Sequence, residues 1–125
     1  MKLAEIHHVS LVVHDLEKTK AFYSGKLQLP ELKRPPFNFP GAWYAIGEQQ
    51  LHLIEADTVT QQRKPNDRIN SRQEHVAFRV ESYEDTLVFL QQQDVPFIEK
   101  KNSKSGFRQI FCNDPDGNTL EFMTL

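Results

Sequence analysis

Short runs of alternating apolar and polar residues along the chain predict β-strands. In HVAFRV (75–80), every second residue from Val76 to Val80 is apolar, and these residues share one face because side chains alternate across a strand. His75 opens the other face. HVSLVV (8–13) has the same form and also begins with a histidine. A segment with helical start signals follows each run, so each predicts a strand and then a helix.

The two strand–helix segments are copies of one pattern. An offset of 67 residues places His8 on His75 and continues into the helices that follow, where Phe22 meets Phe89. Such a repeat predicts two units of similar fold. The predicted helix boundaries are Asp15 and Ser82 as N-caps, Gly25 as the end of the first helix, and the segment 94–96 as the end of the second.

A second repeated pattern predicts a hairpin in the back half of each unit. Residues 42–55 and 108–123 each consist of two apolar runs joined by a turn, and DPDGN in the second turn contains Gly117, which tolerates a positive φ. The second turn is two residues longer, so the offset becomes 69 and places His52 on Glu121.

Four repeated positions are therefore candidate metal ligands: His8, His52, His75 and Glu121. Their strand neighbours are apolar and point to the opposite face, which we expect to pack under the helices. Imidazole and carboxylate groups together bind divalent zinc, iron, nickel, cobalt or manganese. We expect one site if the two units pair their sheets into a curved wall. The alternative is that repeated strands simply keep polar residues at solvent-facing positions.

Composition limits the class of protein. A chain of 125 residues with a net charge of −2 and 26% charged residues is typical of one globular domain, without the basic excess that nucleic-acid binding favours. The chain has no apolar run near the roughly 20 residues of a membrane span and no signal-peptide pattern. We therefore expect a cytoplasmic protein with a small-molecule partner, not a nucleic acid or a membrane.

Three other reactive side chains are interpreted as structural. Cys112 is the sole cysteine and follows two apolar residues, so we expect a small buried hydrophobe and give a nucleophilic role little weight. His7 and His14 have no counterpart in the second unit. His7 alternates away from His8 and at most supports it.

Substrate contacts are predicted from two segments. The stiff aromatic segment 33–44 either lines a cavity, or else it plugs the open end of the sheet or forms a dimer contact. The basic residues at 100–108 either attract an anionic substrate or belong to a solvated loop. The polar segment 58–73 has the composition of a linker. The candidate substrate-binding residues are Trp43, Phe111 and Arg108.

The segments HHVSLVVHDLEKTKAFY (7–23), EHVAFRV (74–80) and DPDGNTLEF (114–122) resemble the vicinal oxygen chelate superfamily, also called the glyoxalase, bleomycin-resistance and extradiol-dioxygenase superfamily. The resemblance implies an α+β fold of two βαβββ modules that form a curved mixed sheet around a metal site, with helices on the outer face. Module one then spans about 1–57 and module two about 74–125 of a single glyoxalase-like domain. It also implies that short members pair as homodimers.

The resemblance assigns His8 and His75 to the first-strand ligands, His52 to the last strand of module one and Glu121 to the closing glutamate. It implies a metal-dependent lyase or isomerase like glyoxalase I, with zinc or nickel preferred, that acts on a small carbonyl compound or its thiol adduct. Glu121 is the expected catalytic base, because it is the one carboxylate of the set. Glyoxalase I more often has glutamine or glutamate at position 8 or 52.

Three alternatives remain open. An extradiol dioxygenase would use His8, His75 and Glu121 around ferrous iron, although His52 would fill a fourth position. A fosfomycin thiol transferase resembles this chain in its ligands alone, since Phe111 stands where that group has a tyrosine. A non-catalytic binder like the bleomycin-resistance proteins would need no metal.

Overall fold

The computed structural model describes residues 1–57 and 68–125. The chain divides into two compact units, Met1–Arg63 and Lys64–Leu125. Most of the predicted linker lies outside the described residues, whereas its last part, 68–73, belongs to the second unit, where the Arg68 carbonyl accepts a hydrogen bond from Asn113 Nδ2 at 2.8 Å. No helix of the described part is long and apolar enough to cross a membrane.

The first unit is a four-stranded mixed sheet with one helical segment. Its strands are arranged in the order β1-β4-β3-β2, with β1 parallel to β4 and the other pairs antiparallel. In chain order, its elements are β1 (His8–Val13), α1 (Leu16–Lys20), which continues as a π-helical segment (Ala21–Lys26), β2 (Glu31–Leu32), β3 (Gly41–Ile46) and β4 (Gln49–Glu55).

The second unit repeats this topology, with strand order β5-β8-β7-β6 and β5 parallel to β8. The predicted α+β fold with two βαβββ modules is therefore confirmed, as are the two hairpins. The elements of the second unit are β5 (His75–Arg79), α2 (Tyr83–Gln92), β6 (Ile98–Lys100), β7 (Arg108–Asn113) and β8 (Thr119–Thr124).

The strand register agrees with both repeat offsets. Ser10 of β1 lies opposite His52 of β4, and Ala77 of β5 lies opposite Glu121 of β8. His52 and Glu121 therefore occupy the same position in their units, one strand away from the histidine that begins the first strand. The repeat in the sequence is a repeat of strand pairing.

In the first unit, the apolar face of the sheet packs under the helical segment. Tyr44 and Leu51 face each other on β3 and β4 and are fully buried. The ring of Tyr23, from the π-helical segment, lies 5.9 Å from that of Tyr44. Glu55 Oε2 accepts the Leu16 backbone N–H at 3.0 Å, so the end of β4 holds the start of α1.

Both predicted N-caps are confirmed. Asp15 Oδ1 accepts the backbone N–H of Lys18 at 3.2 Å. Ser82 Oγ accepts that of Asp85, also at 3.2 Å. In each case a side-chain oxygen satisfies a donor of the first helical turn that has no partner within the helix.

The prediction that Gly25 ends the first helix is wrong. The π-helical segment continues through Gly25 to Lys26, and the left-handed residue that follows is Gln28, with φ 57°. The extra residue per turn moves the helix end beyond the glycine. The end of α2 agrees with prediction, because the helix stops at Gln92 and Asp94 takes a φ of 54°.

The turn between β7 and β8 is organised around one buried carboxylate. Asp114 Oδ1 accepts the backbone N–H groups of Asp116 and Asn118, at 2.8 and 2.9 Å, and its Oδ2 accepts Asn118 Nδ2 at 2.9 Å. Gly117 takes a φ of 81°, the left-handed conformation predicted for this position. The DPDGN motif is therefore a carboxylate-centred turn that aligns β7 with β8.

On the helix side of the second unit, α2 is tied to the sheet by polar groups of Tyr83 and Arg108. Tyr83 is buried and its hydroxyl donates to Glu99 Oε1 at 2.7 Å. Arg108 lies over the Tyr83 ring, 3.9 Å from its centroid, and donates to Glu84 Oε1 at 2.8 Å. Burial and the adjacent Glu99 carboxylate raise the pKa of Tyr83 to about 12.

We predict that Asp114→Ala lowers the free energy of unfolding by about 3 kcal/mol, because it leaves buried donors without a charged acceptor. Urea denaturation measures this loss. Asp114→Asn keeps the Oδ1 acceptor and should lose about half as much. A loss below about 0.5 kcal/mol for Asp114→Ala would show that the turn does not depend on this carboxylate.

We predict that Tyr83→Phe lowers the free energy of unfolding by about 1 kcal/mol near pH 8, through loss of the hydrogen bond to Glu99. Because the pKa of Tyr83 is raised in the folded state, its contribution is complete below about pH 10 and is lost as the pH rises toward 12. The difference between wild type and variant should therefore shrink between about pH 10 and 12. Urea titrations at several pH values measure it, and a difference that grows with pH would contradict this assignment.

Candidate functional site

In the second unit, His75 and Glu121 form a side-chain pair on the sheet face opposite α2. His75 Nε2 lies 3.0 Å from Glu121 Oε2. The His75 ring is partly exposed, whereas the Glu121 side chain is 6% exposed. Their pairing follows from the parallel register of β5 and β8. The register of β1 and β4 places their first-unit counterparts, His8 and His52, at the same strand positions.

Each member of this pair is held by a further group. The Gln73 carbonyl lies 2.6 Å from His75 Nδ1, and since a carbonyl can only accept, Nδ1 carries the hydrogen. Gln109 Nε2 donates to Glu121 Oε1 at 2.7 Å. Phe111, opposite Glu121 on β7, contacts the His75 ring edge to face at 5.5 Å between centroids.

This hydrogen bonding leaves two acceptors facing each other. With the hydrogen on Nδ1, a neutral His75 presents the Nε2 lone pair to the Glu121 carboxylate oxygen, which is unfavourable at 3.0 Å. A proton or a metal cation between the two atoms removes the conflict. Metal-binding histidines characteristically donate their second ring N–H to a carbonyl or carboxylate, so the donor set fits a divalent cation.

In the first unit, the corresponding residues form a stack of rings. The rings of His8 and His52 lie 4.2 Å apart at 16°, and the Trp43 ring covers His52 at 4.2 Å and 5°. His52 is buried and its Nε2 lies 2.8 Å from Gln50 Oε1. His8 is exposed, and its Nδ1 lies 2.9 Å from that of His7.

Burial and nearby positive charges favour the neutral form of His52. Burial lowers the pKa of His52, and the charges of His8, His7 and Arg34 lower it further. Neutral imidazole is the form that binds metal ions. His52 is therefore available as a ligand at neutral pH, although the rings on both of its faces restrict the approach of a metal ion to it.

The aromatic segment before β3 adjoins this stack of three rings at Trp43. Phe37 and Phe39 are exposed and stack at 5.3 Å, and Phe37 lies 6.1 Å from Trp43. The Arg34 guanidinium lies over both phenylalanine rings, at 5.0 and 4.8 Å, and donates to the Phe39 carbonyl. The segment is thus an ordered aromatic cluster that adjoins the candidate ligand His52.

The candidate substrate-binding residues fall on different faces of their sheets. Trp43 lies against His52, and Phe111 lines a pocket of about 610 Å³ that His75 and Gln109 also line. Arg108 contacts Glu84 and Tyr83 of α2 instead and does not line this pocket. The reason is strand alternation, because residues 108 and 111 are an odd number of positions apart.

The residues interpreted as structural behave in that way where the structure tests them. Cys112 is buried on the helix face of β7, and burial raises the pKa of its thiol to about 12, which favours the thiol over the thiolate at neutral pH. His7 touches His8 as a supporting group. His14 is half-buried at the end of β1.

Neither unit by itself gathers three or more His, Cys, Asp or Glu side chains into a metal-binding group within the described ranges. Each unit instead offers one pair, His8 with His52 and His75 with Glu121. The sequence analysis missed the two glutamines that hold the buried members of these pairs, Gln50 and Gln109. Strand alternation identifies both glutamines, because Gln50 lies two positions from His52 on β4 and Gln109 lies two positions from Phe111 on β7.

Comparison with known proteins places the chain in a family. Residues 5–122 match the model of the Glyoxalase/Bleomycin resistance protein/Dioxygenase superfamily. Glyoxylase I 4 of Arabidopsis thaliana is 28% identical over 97% of this chain and 71% of that protein.

Two solved structures are similar along nearly their whole length. A glyoxalase family protein of Enterococcus faecalis is 30% identical, with a TM-score of 0.74, and the match covers 96% of this chain and 97% of that one. A protein of Bacillus anthracis assigned to the glyoxalase family has a TM-score of 0.81 at 24% identity, over 98% and 96% of the two chains. The repeated strand pairing, the paired polar residues and these matches together show that the chain belongs to the Glyoxalase/Bleomycin resistance protein/Dioxygenase superfamily.

Proposed function

We propose that the protein is a divalent-metal-dependent lyase or isomerase of the glyoxalase type, acting on a small carbonyl compound or its thiol adduct. The metal ligands in this proposal are His8, His52, His75 and Glu121, with zinc or nickel as the preferred ion. The observation that carries it is the 3.0 Å distance between His75 Nε2 and Glu121 Oε2, with the Gln73 carbonyl at His75 Nδ1. His75 and Glu121 would hold a divalent cation as two of its ligands.

A bound divalent ion would supply Lewis-acid polarisation of a substrate carbonyl oxygen. The residues of the chain supply the proton transfer. The Glu121 carboxylate takes a proton from the carbon next to a carbonyl and returns it to the neighbouring carbon, so the net reaction is a redox-neutral isomerisation. Gln109 holds Oε1 of the carboxylate, which leaves Oε2 on the His75 side.

The surroundings of Glu121 support this role. Its carboxylate is nearly buried, so water competes little for the proton it carries, and the Phe111 ring opposite forms an apolar wall. Glu121 is the one carboxylate of the proposed ligand set, so the proton has no other carboxylate of that set to move to.

We predict that protein purified without chelator contains about one divalent ion per chain, and that His75→Ala/Glu121→Ala loses it, because both proposed ligands of the second unit are gone. Elemental analysis measures the metal content. His8→Ala/His52→Ala should lower the content as well.

His14→Ala/Glu81→Ala is the matched control, since it removes one imidazole and one carboxylate outside the proposed ligands and should keep the metal. If wild type takes up no metal even when zinc and nickel are supplied, the metal-dependent proposal fails. A metal-free binder of the bleomycin-resistance type then becomes the better assignment.

We predict that Glu121→Gln slows proton exchange at the carbon next to the carbonyl by about 100-fold or more, because an amide cannot accept that proton. Deuterium uptake from D₂O by the hemithioacetal of methylglyoxal and a small thiol measures it. Gln109→Leu leaves the carboxylate in place and should cost less, about tenfold, since it removes only the group that orients Oε1. Equal rates for Glu121→Gln and wild type would exclude Glu121 as the base.

A further inference from the structure

Three basic side chains line the pocket beside His75. Arg72, Lys100 and Lys101 contribute to its wall, together with the polar side chains of Asn102 and Ser103. No aspartate or glutamate lines it among the described residues. Three cations around one concave surface repel one another unless an anion lies between them.

Two of these cations are available to a ligand. Lys101 Nζ lies 3.7 Å from Glu99 Oε1, so that charge is partly balanced outside the pocket. Arg72 and Lys100 form no ion pair with any carboxylate in the described ranges, and both are exposed. An arginine fork and an ammonium group together suit a carboxylate or phosphate, whose oxygens accept several charge-assisted hydrogen bonds.

The loop that carries part of this wall is ordered by its own hydrogen bonds. Ser103 Oγ lies 2.8 Å from Ser105 Oγ, and the Ser103 carbonyl accepts the Gly106 N–H at 3.0 Å. The loop is largely exposed, as considered from the sequence, and forms a hydrogen-bonded turn. A preorganised turn lowers the entropic cost of holding a ligand.

Strand register connects the cations to the candidate base. Lys100 of β6 pairs with Gln109 of β7, and Gln109 in turn donates to Glu121 of β8. Gln109 is also in register with Met123, two residues from Glu121 along β8. With strands about 4.8 Å apart and about 3.4 Å per residue, the backbones of Lys100 and Glu121 are separated by roughly 12 Å. The Lys100 side chain extends across part of this distance, and a small substrate is long enough to span the remainder between Lys100 and Glu121.

From this arrangement we propose that the pocket binds an oxyanion group of the substrate, so that the substrate is a small anionic carbonyl compound bearing a carboxylate or a phosphate. The inference that the substrate is a carbonyl compound rests on the proposed function, whereas the inference that it bears an oxyanion rests on the pocket alone. A volume of about 610 Å³ holds such a molecule, whereas a bare inorganic anion would fill little of it.

The full chain is treated with EDTA and then titrated with inorganic phosphate or with acetate. Binding is measured by NMR chemical shifts at low ionic strength. Phosphate or acetate should shift the amide signals of the 100–109 segment, and added sodium chloride should weaken the effect. Arg72→Gln/Lys100→Gln should lower the affinity for the tighter-binding anion at least about tenfold. Tighter phosphate binding indicates a phosphorylated substrate, and tighter acetate binding a carboxylic acid.

Lys26→Gln/Lys104→Gln is the matched control, because it removes two positive charges outside the pocket and should bind as wild type does. The proposal is overturned if neither anion shifts these signals in wild type, or if the pocket variant binds as tightly as the control variant. Metal content is measured separately on every variant. A protein that binds the anion but takes up no metal would refute the proposed function and leave the oxyanion pocket standing.

Discussion

The fold of each unit depends on the parallel pairing of its first strand with its last, β1 with β4 and β5 with β8. A parallel pair cannot be closed by a tight turn, so a helical segment and two further strands lie between the paired strands in sequence. The last strand then has a neighbour on both sides, and a residue in its middle is buried. This explains why His52 and Glu121 are only 7% and 5% exposed, although both are polar.

Burial of a polar side chain requires a partner, and the two units meet this requirement differently. In the first unit, Gln50 lies beside His52 and aromatic rings cover its faces. In the second, Gln109 satisfies one oxygen of Glu121 and leaves the other directed at His75. The same backbone plan thus produces a neutral, stacked imidazole in one unit and a carboxylate–imidazole pair in the other. Superfamily membership fixes the plan, whereas these side chains decide the chemistry.

Much of the fold and the pairing of the candidate residues was predictable from the sequence, because the repeat preserves strand register. The offsets of 67 and 69 residues placed His8 on His75 and His52 on Glu121, and the strand pairs agree. The end of the first helix was not predictable from Gly25, since a π-helical segment carries the chain past it. Arg108 lies on the helix face of β7, because it is an odd number of positions from Phe111, which lines the pocket on the other face. The ring stack and the hydrogen bond from Gln109 to Glu121 depend on side-chain packing between strands, which spacing along the chain does not reveal.

We propose that His75 and Glu121 together hold a divalent cation. The most direct test is ¹⁵N NMR of the His75 imidazole in the metal-free protein and during titration with Zn²⁺. We expect Nδ1 to keep its hydrogen throughout, and the Nε2 resonance to move to the position of a metal-bound nitrogen in wild type but not in Glu121→Ala. An Nε2 resonance that ignores Zn²⁺, or a metal that binds at Nδ1, would contradict it.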